Sequence, residues 1–232
     1  MKSNVAGHAI TSPTFASANS AATPKDPERI DTLYPMPDGM PDAARLVATG
    51  RGFMSSFLGD ADTRARLLSG RIELDRVILA THDGRVVGYL TFKSNGRGPY
   101  SPRLPDFRAV YGKWQGLFKW LLFSFLERRH HSNDVYVCGL KVHHRARRRG
   151  VGRLLMNEIE NQASSLQKKH IDLEVFHRND RAQQFYSSLG YCARKEIGIP
   201  RFLRLFSFRR VILMRKRVCQ PNPSTHLPVL SE

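Results

Sequence analysis

Cysteine is scarce in this chain of 232 residues, which has only Cys138, Cys192 and Cys219. An odd number of widely separated cysteines predicts neither a disulfide framework nor a zinc site, and it favours a reducing, cytoplasmic location. Two histidine pairs, His130-His131 and His143-His144, do not change this. Adjacent residues of a strand point to opposite faces, so neither pair forms a chelate, and we predict no metal site.

Long apolar runs are also missing. The nearest, Leu117 to Leu126, is shorter than the roughly 18 residues that a membrane span needs and contains Lys119. Residues 1–27 are rich in Ser, Ala, Thr and Pro and lack the apolar core of a secretory signal. We predict that they and residues 218–232 are disordered, and that residues 28–217 form one domain.

Acidic residues are few, 20 against 37 basic ones, and the formal net charge is +17. Two stretches without an acid carry most of the excess. The first contains Lys141, Arg145, Arg147, Arg148, Arg149 and Arg153, and the second contains Arg201, Arg204, Arg209, Arg210, Arg215, Lys216 and Arg217. The second stretch leaves three partners open: an acidic substrate, nucleic acid or an anionic membrane surface.

The segment from Leu140 to Leu155, LKVHHRARRRGVGRLL, is the most informative part of the chain. It predicts the end of a strand, a basic turn, and a helix from Val151 to about Gln167. The glycines at 150 and 152 let a ligand approach the backbone, and the first turn of a helix attracts anions. The adjacent arginines therefore predict that a phosphorylated small molecule binds at this strand-to-helix junction.

Helices and strands alternate between the two predicted tails. A helix over Phe53–Leu68 precedes a hairpin that turns at His82–Arg85, and a second helix is predicted near residues 108–128. A β-α-β-α unit follows from Asp134, and two strands complete the chain. This order predicts an α/β or α+β sheet with helices on its faces. The apolar face of the 108–128 helix leaves core packing, a dimer contact and a membrane or acceptor surface open.

Two motifs give the chain a family resemblance. Arg147-x-x-Gly150-x-Gly152, after a strand ending in Leu140-x-Val142, resembles the acetyl-CoA-binding motif of the GNAT superfamily of N-acetyltransferases. Further along, Asn179-Asp-Arg-Ala182 with Phe185-Tyr186-x-x-Leu189-Gly190-Tyr191 resembles the family's following motif. The resemblance covers about residues 28–217. It implies a mixed, mostly antiparallel sheet with a splayed central strand pair, and an insertion at 94–133 that walls the acceptor side.

The resemblance also implies an activity: acetyl transfer from acetyl-CoA to a primary amine by direct attack in a ternary complex. The implied cofactor contacts are Leu140, Lys141, Val142, Arg147, Arg148, Arg149, Gly150, Val151, Gly152, Arg153, Asn179 and Tyr186.

Tyr186 would also protonate the departing thiolate. Some members use a glutamate as general base where this chain has Tyr136, so Asp134 is the candidate base here, and Glu174 on the neighbouring strand is a second. The alternative is a non-catalytic acyl-CoA-binding module that docks on RNA or on a protein through its basic surface.

Overall fold

The structure is a computed structural model that describes residues 29–50, 55–128, 134–198 and 210–219. Most of the two predicted tails and the stretch from Arg201 to Arg209 lie outside these residues. Val218 is described: it is buried, and its N–H donates to the carbonyl of Lys169. No helix of the described part is long and apolar enough to cross a membrane.

The described strands form one mixed sheet in the order β1-β2-β3-β4-β5-β7-β6. They are β1 (Asp31–Leu33), β2 (Val77–His82), β3 (Arg85–Lys93), β4 (Val135–Val142), β5 (His170–Phe176), β6 (Cys192–Gly198) and β7 (Arg210–Arg217). All neighbouring pairs are antiparallel except β4 and β5, which are parallel. The predicted mixed, mostly antiparallel sheet is confirmed, and β2 with β3 forms the predicted hairpin.

Helices cover both faces of this sheet. They are α1 (Pro41–Ala48), α2 (Ser55–Leu58), α3 (Ala61–Leu68), α4 (Leu104–Tyr111), α5 (Lys113–Arg128), α6 (Val151–Ser165) and α7 (Asp180–Ser187). Alternate side chains of β2 face opposite layers. Ile78 and Ala80 pack in the core that contains α6, whereas Val77 and Leu79 pack with α1. The sheet therefore separates an α6–α7 layer from a layer that contains α1.

Two predicted helices are each interrupted by a glycine, so their prediction as single helices is wrong. Gly59 has a φ of 96°, and Asp60 then begins a new helix, α3, by accepting from the N–H of Thr63. Gly112 has a φ of 80° and separates α4 from α5. A left-handed residue ends an α-helix, and glycine adopts that conformation without steric cost.

The exposed face of α5 is more apolar than core packing explains. Trp114, Phe118, Leu121 and Phe125 follow a helical spacing, and each is at least 52% exposed. On the opposite face of α5, Phe123 and Leu126 are buried, so the predicted core packing applies to that face. The other uses of this helix remain predictions.

Candidate active site

The two central strands separate after a short stretch of pairing. β4 and β5 pair only over Val135–Val137 and Ile171–Leu173, within the described residues. β4 continues to Val142 and β5 to Phe176, so the strands diverge over their second halves. Each keeps its other neighbour, β3 and β7 respectively. One edge of each strand thus faces the opening, where an extended ligand can pair with the backbone.

A β-bulge at Cys138 accompanies this separation. Val137 pairs with Phe92 and Gly139 with Thr91, so β4 has one more residue than β3 at this point. A bulge bends its strand and increases the local twist. Because the bulge follows directly after the last β4–β5 pair, it turns β4 away from β5 where the opening begins.

The turn between β4 and α6 has a backbone that suits an anion. Arg148 and Gly150 both have left-handed backbones, with φ of 62° and 79°. Turns of this kind and helix N-termini present backbone N–H groups to anions. The first bond of α6 runs from the N–H of Leu154 to the carbonyl of Gly150, so the N–H groups of Val151 and Gly152 have no acceptor within the helix.

The two glycines of this turn serve different purposes. Gly150 needs its left-handed conformation, and a Cβ there would meet no described atom within 4 Å. Gly152 has an ordinary helical backbone, but a Cβ there would lie 3.1 Å from the ring of Phe185 on α7. Gly150 therefore shapes the turn beside open space, and Gly152 lets α6 and α7 pack closely.

One cavity of about 670 Å³ runs from Arg147, in the turn before α6, to the opposite face of the sheet. Its lining includes Leu140, Lys141 and Arg147 on the α6 side of the opening and Asn179 and Tyr186 from α7. At its other end it reaches residues of α1, α3 and α5. The cavity therefore connects the candidate phosphate site with a space walled by helices on the far side.

The sequence model that describes the acetyltransferase (GNAT) family matches residues 53–191. The chain belongs to the GNAT family. No curated protein sequence matches it at a significant level.

Solved structures agree with the GNAT fold. An agmatine N-acetyltransferase is 15% identical, with 81% of this chain and 99% of that chain covered and a TM-score of 0.53. A GNAT-family protein from Desulfovibrio desulfuricans is 14% identical, with 82% and 100% covered and a TM-score of 0.51. A third solved acetyltransferase is 17% identical, with 82% and 99% covered and a TM-score of 0.51. Identities this low show the fold alone.

In this GNAT domain, Asn179 immediately precedes α7 and Tyr186 lies within it. Asn179 caps the helix, since its side chain accepts from the N–H of Ala182 at 3.2 Å. Tyr186 packs edge-on against Tyr191, with ring centroids 6.0 Å apart, and lines the cavity. Burial raises the pKa of Tyr186 to about 12, so its hydroxyl stays protonated at neutral pH.

The two carboxylates suggested as a base lie in different places. Asp134 precedes β4 at the paired end of the strands, where it accepts from the backbone N–H of His170 at 3.1 Å, and it does not line the cavity. Glu174 lies on β5 and lines the cavity. The role of Asp134 as a base stays a prediction. Burial raises the pKa of the Cys138 thiol, which keeps this cavity residue protonated and unreactive.

Sequence reasoning missed the charged residues on the cavity wall far from the α6 turn. Lys93 is 6% exposed and lies 2.6 Å from the carboxylate of Glu127, and both line the cavity. Arg64 on α3 lines it too. A signal for Arg64 exists in the sequence, because a cation three and four residues before Leu67 and Leu68 falls on the apolar face of its helix.

Proposed function

We propose that this acetyltransferase moves the acetyl group of acetyl-CoA to a primary amine that attacks it directly. The observation that carries the proposal is one continuous cavity that reaches from Arg147, in the turn before α6, past Tyr186 to the helices on the other face. Direct transfer requires both substrates to meet in one space, and holding them there supplies much of the rate.

The residues around the α6 turn fit the cofactor's charge and shape. Its pyrophosphate would be held by backbone N–H groups from Arg148 to Arg153, with exposed arginine side chains on the same turn. The pantetheine arm would pair with the free edge of β4 at Leu140 and Val142. Lys141, Arg147 and Asn179 line the cavity along the same path.

In the transfer step, the amine nitrogen forms the new N–C bond and the C–S bond of the thioester breaks. The amine gives up one proton and the departing sulfur gains one. Tyr186 donates a hydrogen bond to that sulfur. With a pKa of about 12 it is a weaker acid than a thiol of ordinary pKa near 8.5. Complete proton transfer therefore requires that the same burial raises the pKa of the thiol as well.

The amine's proton has two routes. Glu174 lines the cavity and offers a carboxylate on β5, whereas Asp134 would have to act through water from the paired end of β4. An amine that enters uncharged can also release its proton to water. We expect the dependence of kcat on pH to follow the acceptor amine more than Tyr186, whose hydroxyl does not ionise below pH 10 or so.

Calorimetry with acetyl-CoA and a thiol-release assay over a panel of primary amines test the proposal. Acetylated amine is confirmed by mass spectrometry. We expect acetyl-CoA to bind and at least one class of amine to be acetylated. Binding of acetyl-CoA without turnover of any amine would refute the transfer and favour the non-catalytic module. Failure to bind acetyl-CoA would refute both.

A further inference from the structure

A buried arginine lies at the end of the cavity that is far from the α6 turn. Arg64 is 7% exposed and lines the cavity beside Leu58, Leu68, Tyr89 and Tyr100. These neighbours are mostly apolar, so little water competes for the guanidinium. A charge in such surroundings interacts more strongly with an opposite charge than it does at a surface.

The hydrogen bonds of Arg64 leave part of its guanidinium unused. Nη1 donates to the carbonyl of Gly59 at 2.5 Å, and Nη2 donates to the carbonyl of Thr49 at 3.0 Å. Nε is buried and has no acceptor among the described residues. Two carbonyls hold the side chain in place, but they carry no net charge and do not neutralise the guanidinium.

The other buried basic residues of the described chain each have a carboxylate within 4.0 Å. Lys93 has the carboxylate of Glu127 at 2.6 Å, and Arg76 has that of Asp75 at 3.5 Å. Arg64 has no carboxylate within 4.0 Å in the described part of the chain. A buried cation without a counter-charge is costly, and buried charges are normally paired.

Asp60 attracts Arg64 only weakly and at a distance. It lies one turn before Arg64, but its side chain is exposed and accepts the N–H of Thr63 as the cap of α3. Solvent screens an exposed carboxylate strongly. Arg64 therefore has no close carboxylate among the described residues, and a bound anion would supply one.

We propose that Arg64 binds a carboxylate of the acceptor, so that the preferred substrate is an amine that also carries a carboxylate. This inference rests on the proposed acetyl transfer. The amine would point toward the β4–β5 opening, and the carboxylate would lie at the α3 end of the same cavity. A planar guanidinium suits this role because its N–H groups match a carboxylate in geometry as well as in charge.

The first test uses the unaltered protein and a set of matched probes. Glycine, β-alanine, γ-aminobutyrate and ε-aminocaproate are compared with the amide of each and with the diamine of the same length. Each probe is assayed for acetylation, and is also titrated by calorimetry into the protein saturated with CoA. We expect a carboxylate of suitable length to bind at least about tenfold more tightly than its amide, the scale of a hydrogen bond to a charged group.

The two readouts separate failure of this inference from failure of the proposed function. If diamines or amides are acetylated with the same efficiency as the matched carboxylates, the acetyl transfer stands and the role of Arg64 is refuted. If no amine is acetylated, the transfer fails, and the titrations still judge Arg64. Equal binding of carboxylate and amide at every length, or no binding of any carboxylate, overturns the assignment.

Variants then test whether Arg64 causes the preference for carboxylate substrates. Arg64→Met should remove the carboxylate preference and raise KM for the best carboxylate roughly 10- to 100-fold, with the affinity for acetyl-CoA unchanged. Arg64→Lys keeps the charge without the fork and should retain part of the preference. Arg76→Met is the matched control, because it removes a buried arginine that does not line the cavity. A preference that survives in Arg64→Met, or is lost equally in Arg76→Met, contradicts the assignment.

Discussion

Replacing Tyr186 by phenylalanine removes one hydroxyl and leaves the ring packing in place. The ring stacks edge-on with Phe185 and Tyr191, at 5.2 and 6.0 Å, and these contacts do not need the hydroxyl. We therefore expect Tyr186→Phe to fold and to bind acetyl-CoA with nearly unchanged affinity. The loss should fall on kcat, because the hydrogen bond to sulfur strengthens as the C–S bond breaks.

The expected size is a drop of roughly 10²-fold in kcat, or about 2.7 kcal/mol, the scale for one donor to a developing negative charge. The pKa of about 12 adds a second expectation. Burial raises this pKa, so the hydroxyl remains a donor through the neutral and mildly alkaline range. The ratio of the two kcat values should then be constant from about pH 6 to pH 9.

Single-turnover measurements of thiol release give the rate of the chemical step, and calorimetry gives the affinity for acetyl-CoA. Tyr191→Phe is the matched control: it makes the same change on an adjacent ring that is 1% exposed and does not line the cavity. If Tyr186→Phe keeps the full kcat while the chemical step is rate-limiting, Tyr186 has a packing role and no catalytic one. Equal losses in the two variants would lead to the same conclusion.

Three further predictions concern the turn before α6 and the N-terminus of α4. Gly150→Val should weaken acetyl-CoA binding by about tenfold or more, since its φ of 79° costs an L-residue about 1–2 kcal/mol; unchanged affinity by calorimetry in a folded variant contradicts this. Gly152→Ala should not show the stabilisation of about 1 kcal/mol that Ala has over Gly in a helix, because its Cβ would lie 3.1 Å from the ring of Phe185; a urea midpoint raised by that full amount refutes it. The Arg71 hydrogen bond holds the pKa of Asp106 below its usual value, so this carboxylate stabilises the fold above about pH 4 and loses that contribution as the pH falls through its folded pKa. The stability difference between the parent and Asp106→Asn should accordingly shrink from about pH 5 toward pH 3 in urea titrations, and a constant difference contradicts the pairing.

Local chemistry made the α6 turn and the α7 cap predictable. Gly150 between an arginine run and an apolar helix predicts an anion site because glycine permits the backbone that such a turn needs. Asn179 before the α7 helix is a standard cap, and the structure has that hydrogen bond. Each inference depends on residues within one turn of each other, which is the range over which sequence alone determines geometry.

The opening between β4 and β5 could not be predicted from composition or periodicity. It follows from the register slip at Cys138, and a bulge depends on how β4 pairs with β3, some 45 residues earlier in the chain. Cys138 itself reads as an ordinary apolar strand residue. The sequence implied the splayed pair only through the family resemblance, and the physical cause is visible only in the paired strands.

The electrostatic effect of a basic residue in this chain depends on how deeply its side chain is buried. The exposed arginines at the α6 turn act through solvent, where a Debye length of about 10 Å in 0.1 M salt weakens their attraction to a phosphate. Arg64 is shielded from that screening, and it is one charge among 37. Net charge therefore predicts an anionic ligand for the α6 turn, but it does not point to the acceptor. If Arg64 binds the acceptor as we propose, this single buried guanidinium constrains the acceptor more than the whole exposed excess, because a buried charge loses its hydration and needs a specific partner.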